Sequence, residues 1–295
     1  MMELDRILAL SEGPPNQLQG DWPDRVLTQV KRAELHSYLP EGKARARAIV
    51  YAGGGYLQLM HDKEGVEIAQ WLNSLGLEAH VLQHRLPGQN GQPFDIALQD
   101  GLRALDHLAT LPPLPLFHVG LSSGGHLAGV MSCQAHAYQA HGAVIAYAPL
   151  NANHRLYKAP AGKPDYPPPE KQAFYDAWPI GIAAEPHGIP RCPVFLAYAL
   201  MDTIVPVEHA LNLLRTARDV GLEVDAHVFA RAPHGFGLRE MEGTQDQWPD
   251  LAAAWMEGRM AATQTLARKA AASPASHFQS AKTPTRLHST QRQAM

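Results

Sequence analysis

The run Gly120-Leu-Ser122-Ser-Gly124-Gly125 constrains the fold more than any other feature of this chain. It follows an apolar stretch, Leu116-Phe-His-Val-Gly120, and opens a segment from Gly125 to Tyr138 that reads as a helix. A serine with glycines two positions before and two after it can occupy a sharp, strained strand-to-helix turn. Side chains at those flanking positions would keep strand and helix apart. The hydroxyl then projects beyond the end of the strand, and the helix sets its positive N-terminal end beneath it. Ser122 is therefore the expected nucleophile. Ser123 is the rival hydroxyl, but the glycine spacing favours Ser122 and leaves Ser123 to offer its backbone N–H to a developing oxyanion.

Around this turn the chain alternates short apolar runs with amphipathic stretches. Ala48–Ala52, Leu77–Leu82, Leu116–Gly120, Ala143–Ala148, Val194–Tyr198 and Val224–Phe229 read as strands. Between them, Val66–Leu75 places Val66, Ile68, Ala69, Leu72 and Leu75 on one helical face, and Gly76 closes it. Ile96–Ala109 and Glu208–Val220 are further helices, and a last one runs from Leu251 to about Ala270. Residues 26–39 alternate loosely enough for an early antiparallel strand or hairpin. The pattern predicts an α/β fold: a mostly parallel central sheet covered by helices on both faces. Residues 1–25 read as a polar lead-in and 26–270 as the folded domain. Residues 151–190, rich in Pro, Tyr and Trp, read as a cap insert, and 271–295 as a polar tail expected to be disordered.

Three more segments carry chemistry. Ala52-Gly53-Gly54-Gly55-Tyr56 directly follows a strand. Acyl transfer builds negative charge on a carbonyl oxygen, and rigid backbone N–H groups must point at that oxygen. Consecutive glycines let the backbone approach closely, which makes Gly54 and Gly55 the expected donors beside Ser123. Asp202 follows the strand 194–198 and can fix the tautomer of a histidine; Asp219 and Asp225 are weaker candidates because they lie before or inside the next strand. His234, in Ala232-Pro-His-Gly-Phe236, follows the last strand on a loop able to bring a general base over the serine. The chain holds 16 histidines, so position singles this one out. Ser122, Asp202 and His234 are the expected catalytic residues. Tyr56, His126, Tyr157, Tyr175 and Trp178 are candidates for a substrate pocket; simple core packing is the alternative for the aromatics.

Composition excludes some functions. The formal net charge is −3, so no charge excess is available to neutralise a phosphate backbone, and nucleic acid is not an expected partner. No stretch approaches the 18 apolar residues of a membrane span, and the N-terminus lacks the features of a signal peptide, so a cytoplasmic protein is the expectation. Cys133 and Cys192 show no metal-ligand spacing and read as reduced, buried thiols.

The segments Gly53–Tyr56, Glu64–Gly76, His84–Gly88, Ala97–Leu105, Gly120–Gly129, Asp202–Leu211 and Ala232–Phe236 together resemble the acetyl xylan esterase-like branch of the α/β-hydrolases over about residues 43–240. More distantly they resemble hormone-sensitive-lipase-type esterases and dienelactone hydrolases. The resemblance implies a Ser-His-Asp esterase with no metal or organic cofactor, acting on a small-molecule ester, often with a short acyl group and including acetylated sugars. The chain departs from the pattern at Ala52, where relatives usually carry Pro or His, and at His84, where Tyr is common. Other readings are a catalytically inactive hydrolase fold that binds small molecules, a thioesterase, a lactonase or a peptidase. A prolyl-oligopeptidase-like peptidase would need a large gating domain, for which the chain leaves no room.

Overall fold

The computed structural model describes residues 4–152, 168–239 and 242–272, with side-chain surroundings through 262. Two units are delimited, Met1–Met260 and Ala261–Met295. The first contains eight strands: β1 (Arg6–Ala9), β2 (Glu34–Tyr38), β3 (Ala46–Tyr51), β4 (Leu77–Gln83), β5 (Leu116–Leu121), β6 (Gly142–Ala146), β7 (Val194–Ala199) and β8 (Val224–Phe229). They form one sheet in the order β1-β2-β4-β3-β5-β6-β7-β8. β1 and β2 run antiparallel to their neighbours, and every other pairing is parallel. The helices are α1 (Glu67–Ser74), α2 (Ile96–Ala109), α3 (Ser123–Ser132), α4 (Pro169–Ala177), α5 (Glu208–Val220) and α6 (Trp248–Ala272).

Alternation along the strands distributes the core. Ile49 and Tyr51 of β3 face one side, with Leu105 of α2, Leu127 of α3 and Leu213 of α5. Ala48 and Val50 face the other, with Leu72 of α1 and Trp248 and Met256 of α6. All six residues of β3, β5 and β7 are buried, as a parallel sheet covered on both faces requires. Helix α3 is buried around its whole circumference, and its small residues (SGGHLAGVMS) let it lie close against β5 and β6.

Four differences from the sequence reading have local causes. Residues 1–25 are not merely a lead-in: β1 pairs with β2, and Arg25 makes a two-pronged ion pair with the buried Asp62. β1 is almost wholly exposed, so it carries no apolar alternation to read. Within 26–39 only Glu34–Tyr38 is strand. Helix α3 begins at Ser123 and stops at Ser132, short of Tyr138. Its end is closed by side chains: Ser132 Oγ, Cys133 Sγ and Gln134 Nε2 donate to the carbonyls four residues earlier. The insert contains a regular helix, α4, with Pro169 at its first position. Of the insert, residues 153–167, and with them Tyr157, lie outside the described residues, as do 273–295 of the tail.

Both cysteines are free and buried, and burial pushes both thiols up. Among the described residues no helix is long and apolar enough to cross a membrane.

Candidate active site

The ends of β5, β7 and β8 bring three side chains to one rim of the sheet. Ser122, between β5 and α3, has φ 52° and ψ −127°, a strained conformation for a residue with a side chain. Its glycine neighbours allow the turn. A Cβ on Gly120 would lie 2.2 Å from the carbonyl oxygen of Gly124, and one on Gly124 2.0 Å from that of Tyr51. Ser122 Oγ lies 3.0 Å from His234 Nε2, and His234 Nδ1 lies 2.8 Å from Asp202 Oδ2. With the proton on Nδ1, His234 donates to Asp202 and presents Nε2 as acceptor to the Ser122 hydroxyl.

Asp202 is held from its other side as well. Its Oδ1 accepts the N–H groups of Ile204 at 2.8 Å and Val205 at 2.9 Å. Burial pushes the Asp202 carboxyl up. The hydrogen bond from His234 and the two backbone donors outweigh burial and hold it below its ordinary value, so it is ionised at neutral pH. Asp219 and Asp225 are not brought to His234; Asp219 pairs with Arg218 on the exposed side of α5.

The glycine loop after β3 reaches the elbow, but not with every expected donor. Gly55 N–H donates to Ser123 Oγ at 2.8 Å, so this expected oxyanion donor instead latches its loop to the elbow. Gly53 N–H donates to Glu64 Oε2 at 2.8 Å. Among the described residues, the N–H groups of Gly54 and Ser123 have no protein acceptor, and α3 adds the positive end of its dipole beneath them. Ser123 acts as a bridge here, with its hydroxyl engaged and its amide open.

Three of the pocket candidates pack as a buried cluster, whereas Trp178 is partly exposed with its ring 5.2 Å from that of His187. Tyr56 and His126 are buried and Tyr175 nearly so. The Tyr56 and Tyr175 rings stand 5.4 Å apart, and those of His126 and Tyr175 4.6 Å. Tyr56 O–H donates to His126 Nδ1 at 2.9 Å, and His126 Nε2–H donates to the Trp178 carbonyl at 2.8 Å. Burial lowers His126 to about 4, so it is neutral and suited to both contacts. These residues fasten the glycine loop, α3 and the segment after α4 to one another. Two other segments that carry the family likeness are also structural. Arg85 forms a forked ion pair with the fully buried Asp100 of α2, and His84 is buried against Tyr56.

Sequence reasoning missed Glu64. It sits on a π-helical turn, His61–Val66, and its carboxyl is buried behind Gly53. A charged residue just ahead of a helix reads as an N-terminal acid, and nothing in the sequence points it inward.

The sheet order, the elbow after β5 and the hydrogen-bonded Ser122, His234 and Asp202 at one rim define an α/β-hydrolase. The chain belongs to the prolyl oligopeptidase family, which it matches over residues 97–280. That stretch includes all three residues and begins after the glycine loop. An acetylxylan esterase from Xylanibacter ruminicola is 26% identical over 218 residues, covering 70% of this chain and 44% of that protein. The chain thus spans less than half the length of this curated relative. Among solved structures, an acetyl ester-xyloside bifunctional hydrolase from Caldicellulosiruptor lactoaceticus superposes with a TM-score of 0.60 at 23% identity, covering 77% of this chain and 88% of that one. A carboxylesterase from Lactobacillus plantarum gives 0.62 at 18% identity, covering 82% and 98%. At these identities the two structures support the fold.

Proposed function

We propose that this protein is a serine carboxylic-ester hydrolase acting through an acyl-enzyme on short-chain esters, acetyl esters of carbohydrates among them. The observation that carries the reading is the unbroken chain Ser122 Oγ to His234 Nε2 at 3.0 Å and His234 Nδ1 to Asp202 Oδ2 at 2.8 Å, beside two unengaged amide donors. Likeness to an acetylxylan esterase supports the acyl class.

In this reading Ser122 Oγ attacks the ester carbonyl carbon while its proton passes to His234 Nε2. The N–H groups of Gly54 and Ser123 receive the oxyanion, where a rigid donor is worth about 10²–10³-fold in rate. The C–O bond to the alcohol breaks, and His234 returns the proton to the departing oxygen. Water then gives its proton to His234 and attacks the acyl carbon; the bond to Ser122 Oγ breaks, His234 returns the proton to Oγ, and the acid leaves. Asp202 holds the imidazole tautomer throughout and offsets its transient positive charge.

The wild-type protein should show burst acylation by p-nitrophenyl acetate and covalent labelling by a fluorophosphonate. Ser122→Ala should lose both. Full activity of that variant would remove Ser122 from the mechanism, and an unlabelled, inactive wild type would favour a binding protein. Rates should fall as the acyl chain lengthens and should be retained on acetylated xylo-oligosaccharides. The sequence reading set a prolyl-oligopeptidase-like peptidase aside, but the chain's family brings it back as an alternative. Faster cleavage of proline-containing peptides than of any ester would overturn the esterase reading.

A further inference from the structure

The π-helical turn His61–Val66 directs two acids in different directions. Asp62 has its cation, Arg25. Glu64 is equally buried but has no ion-pair partner among the described residues; its contacts lead to the reaction centre. A π-helical turn is rare and concentrates at functional sites, because it re-aims side chains at the expense of helix regularity.

Three elements meet this carboxyl. From the loop after β3, Gly53 N–H donates to Oε2 at 2.8 Å. Gly53 is pressed so tightly between Glu64 and the nucleophile that an added Cβ would stand 2.3 Å from Glu64 Oε2 and 2.7 Å from Ser122 Cβ. From the end of β6, Tyr147 O–H donates to Oε1 at 3.2 Å. Tyr147 holds a strained φ of 38°, and its ring stands edge-on 5.3 Å from the His234 ring and 4.5 Å from Phe236. From the loop after β8, Gly235 lies beside it: a Cβ there would stand at ordinary van der Waals distance, 3.7 Å, from Glu64 Oε1. A single carboxyl therefore binds the glycine loop and the tyrosine that packs on the base, and it lies beside the backbone next to the base.

We propose that Glu64 is a positioning residue for the ester hydrolysis read above: its carboxylate fixes the Gly53 loop and, with Tyr147, the His234 ring, and it supports the positive charge His234 gains when Ser122 gives up its proton. The inference rests on that hydrolase reading. The charged and titratable groups facing Glu64 are His234, Tyr147 and Lys63, and those facing His234 are Asp202, Ser122, Tyr147 and Glu64. Burial raises the Glu64 carboxyl above its ordinary value; the His234 charge, Gly53 N–H, the Tyr147 hydroxyl and Lys63 offset part of that rise. Burial, followed by Glu64 itself, keeps Tyr147 protonated and able to donate. A carboxyl raised in the folded state binds its proton more tightly there than in the unfolded chain. The folded state therefore carries the full cost of the buried charge above the raised value, and that cost fades as pH falls through it.

The decisive variant is Glu64→Gln, which keeps the shape and an acceptor for Gly53 N–H but removes the charge. With p-nitrophenyl acetate, kcat should fall about tenfold with KM little changed. The acidic limb of the kcat/KM profile should move to lower pH by roughly one unit, as loss of a nearby anion requires. The thermal midpoint at pH 8 should stay level or rise, because the buried charge is gone. A merely structural Glu64 would lower the midpoint and leave the acidic limb in place, and that result would overturn the proposal. If the variant does not fold, Tyr147→Phe tests the same contact: a several-fold fall in kcat is expected, and a wild-type rate would refute the tie. A wild type that Ser122→Ala or fluorophosphonate shows to be no serine hydrolase sinks both readings, whereas an active wild type with an unmoved Glu64→Gln profile sinks only this one.

Discussion

The two sides of Ser122 are built by different physics. On the elbow side, everything is backbone. Gly120 lets α3 close on β5 and Gly124 lets it close on the end of β3, within distances that any Cβ would block, and the serine's own φ of 52° throws its hydroxyl outward. On the other side, everything is side-chain hydrogen bonding between segments far apart in the chain. Gly55 is tied to Ser123, Gly53 to Glu64, Glu64 to Tyr147, and His234 to Asp202. Steric exclusion, whether by Gly124 on Gly120 or by the distant Tyr51 carbonyl on Gly124, leaves a mark in the sequence as glycine. Polar contacts across the rim depend on where distant loops come to rest and leave almost none.

The largest effect should come from filling the elbow. Gly124→Val puts atoms where the Tyr51 carbonyl stands 2.0 Å from the Cβ position, so β3, β5 and α3 must separate. Chemical unfolding should show a loss of more than about 4 kcal/mol, or no folded protein at all. A stable Gly124→Val variant would break the claim that sterics rule this side.

Asp202→Asn comes next. It preserves size but can reverse the hydrogen bond to Nδ1 and so favour the wrong tautomer. In single-turnover assays kcat should fall roughly 10³–10⁴-fold. The pH dependence of stability should change too. The Asp202 carboxyl is lowered in the folded state, so its stabilisation is complete above its ordinary value of 3.8 and is lost as pH falls from there through the lowered folded value. Acid unfolding of the variant should lack that component. A variant with the wild-type acid profile would show that Asp202 is held by contacts other than the ones described.

Ser123→Ala should be the mildest. It removes the acceptor for Gly55 N–H while leaving the Ser123 amide in place. Stability should drop by about 1–2 kcal/mol, the cost of stranding a poorly solvated donor. Turnover of p-nitrophenyl acetate should fall several-fold. An unchanged rate would mean that the glycine loop is held by Glu64 alone and would sharpen the division between the two contacts.

Most of the fold was legible because it follows from short-range pattern. α2, α5 and β8 run from Ile96 to Ala109, Glu208 to Val220 and Val224 to Phe229, as apolar periodicity, the stop at Pro112-Pro113 and the closing Gly221 predict. Where the signal was weak, the structure differs. β1 is exposed and so has no alternation, and α3 is closed early by three back-bonding side chains that a propensity reading takes as helix continuation. At the rim, Ser122, Asp202 and His234 could be named because each follows a strand end. Gly55 could not be told from Gly54, since the difference is a hydroxyl on another segment.

The sequence alone determined the parallel layered fold, the turn at Ser122 and the order in which Ser122, Asp202 and His234 follow strand ends, because apolar periodicity acts between near neighbours in the chain and a backbone that must be approached closely is written as glycine. Only the tertiary structure decided that Tyr56, His126 and Tyr175 pack together, that Gly54 keeps an open amide while Gly55 does not, and that Glu64 turns inward to Gly53 and Tyr147. Those outcomes depend on burial and on which polar group meets which across long stretches of chain, and neither quantity exists until the sheet has formed.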